Sequence, residues 1–260
     1  MRHALVTPDG DHLRWVEIPG AEPARVYLHG LGASSPVYFA AAVAHPELAG
    51  RRSLLLDLLG FGISDRPIAF PYTLEAHADA VAVALRSAGV SGAEVVGHSM
   101  GGAVAVVLAA RHPDLVAGLV LVDTGLDPVT PAELAHPNSS GLLAYSEREF
   151  LDGGWRAVRE RVGPLWWATM RLAGREALHR SAASRALGGT PGLRELLLEL
   201  PVPRSFLHPA ADGEPAGADR LREAGVRVTA VPGCGHNIMF DNPDGFARAV
   251  ADSFAGSAAG

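Results

Sequence analysis

Residues 94–110 read EVVGHSMGGAVAVVLAA, an apolar run that breaks on one hydroxyl between glycines before a second, Ala-rich apolar run begins. With Ala93, the first run (AEVVGH, 93–98) has the near-continuous apolar character of a strand buried on both faces. The second reads as a buried helix. At the junction, Gly97-His98-Ser99-Met100-Gly101 is G-x-S-x-G, and a strand-to-helix turn is the context in which that pattern forms a nucleophile elbow. Glycines two residues before and after the serine remove Cβ atoms that would hold strand and helix apart, and Gly102 adds room. In a chain with 30 glycines the pentapeptide alone carries little; its place between strand and helix carries the assignment.

The same beat continues on both sides. HLRWVEI (12–18) alternates and predicts an edge strand, whereas ARVYLHG (24–30), RSLLLD (52–57) and VAGLVLVD (116–123) are apolar throughout and predict the centre of a parallel sheet. Thr73 as N-cap and Gly89 as terminator bracket a helix. RSFLH (204–208) and RVTAV (227–231) supply two further strands, a helix starts near Pro243, and the terminal AGSAAG is expected to fray. Strands alternating with crossover helices predict an α/β domain. Between Asp123 and Pro201 the beat fails, and the chain holds Trp155, Trp166 and Trp167, three of its four tryptophans. This predicts a helical insertion over the C-terminal edge of the sheet, whose aromatics either pack it onto the core or line a pocket.

Composition narrows the possible partners. At 260 residues and 48% hydrophobic, the chain can bury one sizeable core. Its net charge of -6 is scattered along the sequence, which speaks against nucleic acid or an anionic membrane as a partner. All 22 basic residues are Arg, a feature from which no function follows. The single cysteine, Cys234, allows neither an intrachain disulfide nor a Cys-rich zinc site. No signal-peptide apolar core and no run near the ~18 residues of a membrane span are present, so the expectation is a soluble, cytoplasmic protein.

A serine hydroxyl needs a base to take its proton. Of 11 histidines, His236 in VPGCGHNIMFDNP lies between the last strand and the last helix, on the same sheet edge as Ser99. His98 adjoins the serine, but side chains of neighbouring residues at a sharp elbow diverge, so it is read as packing beside the turn. An oxyanion needs two donors. The Met100 N–H, at a helix N-terminus, is one, and the Leu31 N–H in YLHGLGASS is the other, with His29 anchoring that loop.

With HGLGAS, DLLGFGISDRP (57–67), GHSMGG and GCGHNIMFDNP in this order, the sequence resembles the α/β-hydrolase superfamily over nearly its whole length. The likeness is to its cap-bearing group of carboxylesterases, C–C bond hydrolases, perhydrolases and epoxide hydrolases. The resemblance implies an eight-stranded, mostly parallel sheet with helices on both faces and a helical cap after the sixth strand. Residues 1–126 and 202–260 would form the core and 127–201 the cap. GFGISDRP is similar to a family loop of mainly structural use. Family members that cleave epoxides or carbon–halogen bonds carry Asp as nucleophile, and Ser99 argues against both. The family's acid usually follows the seventh strand in a G-x-x-D setting, where this chain has FLHPAADGEP with Pro209 in the glycine position. Asp212 is the preferred acid on that ground, and Asp123, at the end of the sixth strand, is the alternative.

Two readings of a different class compete. HGLGAS followed by Asp57 suggests a dinucleotide site, but the third glycine is missing and Ser99 and His236 would be idle. A ligand receptor of this fold would not need a complete nucleophile, base and acid. The reading adopted is a serine hydrolase of esters or related activated carbonyls with no metal or organic cofactor. C–C hydrolase, lyase or cofactor-free perhydrolase chemistry on the same triad, or a non-catalytic ligand receptor of this fold, is the alternative. The substrate is expected to be a small molecule with an apolar group, held by Trp155, Trp166 and Trp167.

Overall fold

A computed structural model describes residues 1–130 and 140–255; part of the expected cap and most of the expected frayed tail lie outside them. Eight strands, β1 (Arg2–Leu5), β2 (His12–Ile18), β3 (Ala21–Leu28), β4 (Arg51–Asp57), β5 (Ala93–His98), β6 (Val116–Val122), β7 (Arg204–Pro209) and β8 (Val226–Val231), make one sheet in the order β1-β2-β4-β3-β5-β6-β7-β8. The pairs β1–β2 and β2–β4 are antiparallel; the others are parallel. The alternating HLRWVEI run is therefore not the edge, because the short β1 covers it. A four-residue strand with little apolar character is hard to find by pattern.

Side chains alternate across the sheet with period two. Val26, Leu28, Leu54, Leu56, Val95 and Leu121 share a core with helices α2 (Leu74–Ser87) and α3 (Met100–Arg111). Tyr27, Leu55, Val96, Val120 and Leu207 face the other way, onto α1 (Ser35–Ala44) and α8 (Pro243–Ala255). Both faces are thus covered, which is why the central strands read as unbroken apolar runs. The expected caps hold: Thr73 Oγ1 accepts from the Ala76 N–H at 3.1 Å, and Gly89 closes α2 at φ 66°.

The chain crosses from β3 to β4 on one side, then over β3 to β5 on the other. Such a reversal opens a crevice beyond the strands' carboxyl ends. The registers Leu28↔Gly97 and His98↔Val122 bring the ends of β3, β5 and β6 level there. Between β6 and β7 the chain leaves the sheet to form α4 (Trp155–Met170), α5 (Arg175–Leu187) and α6 (Leu193–Glu199). Gly163 at φ 73°, followed by Pro164, breaks α4 into two arms. The short α7 (Ala218–Glu223) joins β7 to β8. Among the described residues no helix is long and apolar enough to cross a membrane.

Candidate active site

Ser99 sits between β5 and α3 at φ 51°, ψ −118°, a region that costs an L-residue on the order of 1–3 kcal/mol and is held only where the surroundings demand it. What demands it is close packing of backbone. A Cβ on Gly97 would lie 2.6 Å from Gly101 O and Gly102 Cα, and one on Gly101 would lie 2.3 Å from Leu28 O. The Ser99 N–H donates to Val122 O at 2.9 Å, fixing the elbow to β6. Its side chain does not cap α3, so the half-buried hydroxyl is left for other work.

His236 lies beyond β8 on the same edge. Its Nδ1 is 2.6 Å from Asp123 Oδ2. Asp123 follows β6 as Ser99 follows β5; it too has a positive φ, 44°, and its N–H donates to Leu207 O at 2.8 Å. The carboxylate on the imidazole is thus that of Asp123 and not of Asp212, the preferred acid. Asp212 ends a single exposed 3₁₀ turn after β7 and lines the same cavity as His236. Spacing placed both acids on one edge; the backbone turn at Asp123 decides which one reaches the ring.

His98 does more than pack. Its Nε2–H donates to the His236 carbonyl at 3.0 Å, and the two rings lie 4.6 Å apart. Complete burial, followed by the neighbouring His236, holds the His98 pKa well below its ordinary value. The ring is therefore neutral, with one donor committed to the His236 loop. Its position as the first x of G-x-S-x-G was legible; this bond across 138 residues was not.

The loop after β3 is a tight turn. Ala33 N–H donates to Gly30 O at 3.1 Å, and the Leu31 N–H takes no part in that bond. His29, fully buried, fixes the loop: its Nδ1–H donates to Gly30 O at 2.7 Å, and its Nε2 accepts from the Leu58 N–H at 3.1 Å. Asp57 accepts from Ser34 Oγ, Ser35 N–H and Ile63 N–H at 2.7–3.0 Å. It is buried as an anchor joining the two loops, which leaves no ribose-binding acid. Leu31, Met100, Ser99, Asp123 and His236 all line one cavity of about 660 Å³, walled elsewhere by cap residues such as Leu142 and Val162.

The α/β hydrolase fold family model matches residues 24–168. The chain belongs to this family. It is 44% identical over 144 residues to Lipase LipV of Mycobacterium tuberculosis, spanning 52% of this chain and only 53% of that protein. To Esterase Rv0045c of the same organism it is 29% identical over 256 residues, 89% of this chain and 81% of the relative. Among solved structures, the esterase EaEST from Exiguobacterium antarcticum superposes with a TM-score of 0.75 at 20% identity, covering 95% of this chain and 97% of that one. That last likeness speaks to the fold.

In this family member the cap's tryptophans divide. Trp166 lines the cavity, and its Nε1–H donates to Leu31 O at 2.8 Å. Trp155 and Trp167 do not line it; their rings stack on each other at 6.3 Å and 10°. Arg156 and Arg175 lie over Trp155 at 4.8 and 4.3 Å, and Arg159 over Trp167 at 5.9 Å. In an unbroken helix, residues 155 and 167 would be about 18 Å apart. The break at Gly163 folds the arms so that these two rings meet each other and face arginines instead of a substrate.

Proposed function

We propose that this chain is a serine hydrolase that cleaves an ester or a related activated carbonyl through an acyl-enzyme, with Ser99 as nucleophile, His236 as base and Asp123 as the acid. The observation that carries this reading is the meeting, in one cavity, of a serine on a strained elbow and a histidine bonded to a carboxylate. The Asp123 carboxylate accepts a hydrogen bond from Nδ1–H and so fixes the proton on that nitrogen, leaving Nε2 with the lone pair that accepts the Ser99 proton. Ser99 Oγ attacks the carbonyl carbon, and the N–H groups of Met100 and Leu31 receive the oxyanion. The imidazolium then protonates the leaving group; water, deprotonated by the same ring, releases the acid. The mostly apolar wall formed by Leu31, Leu142, Val162 and Leu165 supports acyl or alkyl groups of moderate size as the bound portion.

A panel of p-nitrophenyl esters of increasing acyl length, run beside an activated C–C substrate, tests the class. Ser99→Ala should retain its melting temperature and lose turnover by a factor on the order of 10⁴–10⁶. A fluorophosphonate should label the wild type, with the adduct at Ser99 in a peptide map. Near wild-type esterase activity in Ser99→Ala would overturn the mechanism.

A further inference from the structure

His236 is held at two points from the ends of two neighbouring strands. Its side chain is 55% exposed, so packing does little to orient the ring and hydrogen bonds must. One is the bond of Nδ1 to the Asp123 carboxylate, just past β6, at 2.6 Å. The other comes from His98, the last residue of β5, whose Nε2–H donates to the His236 carbonyl at 3.0 Å. Further bonds of this segment are local: the Gly235 N–H donates to Asp241 Oδ2 at 2.9 Å, and Asn242 Nδ2–H to Pro232 O at 2.7 Å. They stiffen the turn after β8 without fixing it to the end of β5. A bond at the ring alone leaves the imidazole free to swing with its backbone. A second bond, at the carbonyl next to the Cα that carries the ring, removes that freedom.

The surroundings of the His98 ring fit holding better than filling. The ring is buried, and its Nδ1 meets no hydrogen-bond partner among the described residues. Leucine or methionine would fill the same space without that unmet lone pair; what neither could supply is the bond at Nε2. Gly30 admits the ring, since a Cβ there would lie 2.9 Å from Nδ1. The ring lies 4.6 Å from that of His236, and burial keeps it neutral. It can therefore hold the backbone without setting a positive charge beside a base that must become an imidazolium.

We propose that His98 is a positioning residue for His236: its Nε2–H fixes the backbone that carries the base, and so keeps the imidazole on Asp123 in the orientation that proton transfer with Ser99 needs. The inference rests on the serine-hydrolase reading above. Since that base acts in both acylation and deacylation, both steps should feel the loss of the bond.

The test compares His98→Leu, which keeps bulk and removes the donor, with His98→Gln, whose amide N–H reaches the place of Nε2–H, and His98→Asn, whose amide stops short of it. With p-nitrophenyl acetate and octanoate, positioning predicts that kcat falls about three- to tenfold in His98→Leu and His98→Asn, by the same factor for both esters and with KM nearly unchanged. His98→Gln should recover most of the loss, and the rate of labelling by a fluorophosphonate should follow the same order. The low-field proton resonance of His236 Nδ1–H gives a reading independent of turnover: it should shift or broaden in His98→Leu and His98→Asn and return in His98→Gln. If His98→Leu fails to fold, the Gln and Asn variants carry the contrast. Equal kcat in those two when folded, or a resonance that no substitution moves, would overturn the role, as would a loss confined to KM or dependent on acyl length. Wild-type protein that turns over no ester and takes no fluorophosphonate label would remove the serine-hydrolase reading, and the resonance would still decide whether His98 holds His236.

Discussion

Asp123 and Ser99 share an arrangement at the scale of single residues: each is the first residue past its strand, each has a positive φ, and each anchors its N–H to the next strand. The paired turns set a carboxylate and a hydroxyl at one level, with the imidazole arriving from beyond β8. Asp123→Asn should therefore lower turnover by on the order of 10⁴, because the amide no longer holds the required tautomer or balances the imidazolium. Asp212→Asn should change kcat by less than about tenfold. Purified variants with matched melting curves, assayed on one p-nitrophenyl ester, decide between them; the reverse ranking returns the acid to the loop after β7. That Ser99 and His236 would share one sheet edge was legible from motif and order, since G-x-S-x-G has meaning only at a strand-to-helix junction and His236 sits between the last strand and the last helix. Which carboxylate bonds the His236 ring was not, because two aspartates met the same test and the distinguishing feature is a backbone dihedral angle.

Among the elements, the elbow and the cap show opposite kinds of legibility. The glycines around Ser99 announced that backbone would meet backbone, and it does. Gly101→Ala would push a methyl against Leu28 O and His29 O at 2.3 and 2.5 Å, an overpacking cost of about 1–3 kcal/mol. Turnover should fall further than that instability explains, because the displaced atoms belong to the elbow and to the end of β3 and the loop after it. Gly189→Ala, whose Cβ meets nothing nearer than 3.5 Å, is the control and should unfold in urea within about 0.5 kcal/mol of wild type. In the cap, Gly163-Pro164 stood in plain view as a helix breaker, yet all three tryptophans were expected to hold the substrate. With the break included, residues 155 and 167 face each other and only Trp166 remains for the cavity.

Across the whole molecule, three buried histidines tie its parts together: His29 in the loop after β3, His98 under the His236 loop, and His77, whose Nε2 meets Ser181 Oγ of α5 at 3.0 Å and so joins α2 to the cap. Burial lowers the pKa of all three, that of His77 to about 3. An unfolded chain protonates the same rings near pH 6.5, as free imidazoles do. Between those values the unfolded state binds more protons, so the stability contributed by neutral His77 is complete above about pH 6.5 and is lost as pH falls toward 3. Its slope is about 1.4 kcal/mol per pH unit. Urea titrations at pH 7, 6 and 5 should show stability declining steadily, and His77→Gln should flatten the decline by about that slope; an equal slope in the variant would refute the assignment. The order of the strands at this scale was beyond sequence pattern. Period and turn chemistry identify each strand, whereas its neighbours are set by crossovers on faces that a linear reading does not show.

The descent of the His236 carboxylate from β6 has a consequence for how this scaffold can diversify. Residues 210–217 after β7 contribute Asp212 to the cavity wall without supplying the carboxylate on the ring. That segment can be lengthened, shortened or exchanged with the equivalent loop of a relative, changing which molecules are admitted while the reacting groups keep their places. On the serine-hydrolase reading proposed above, selectivity and reactivity would then be held on separate pieces of chain, so a library built on this loop would explore new substrates with the His236–Asp123 pair already in place.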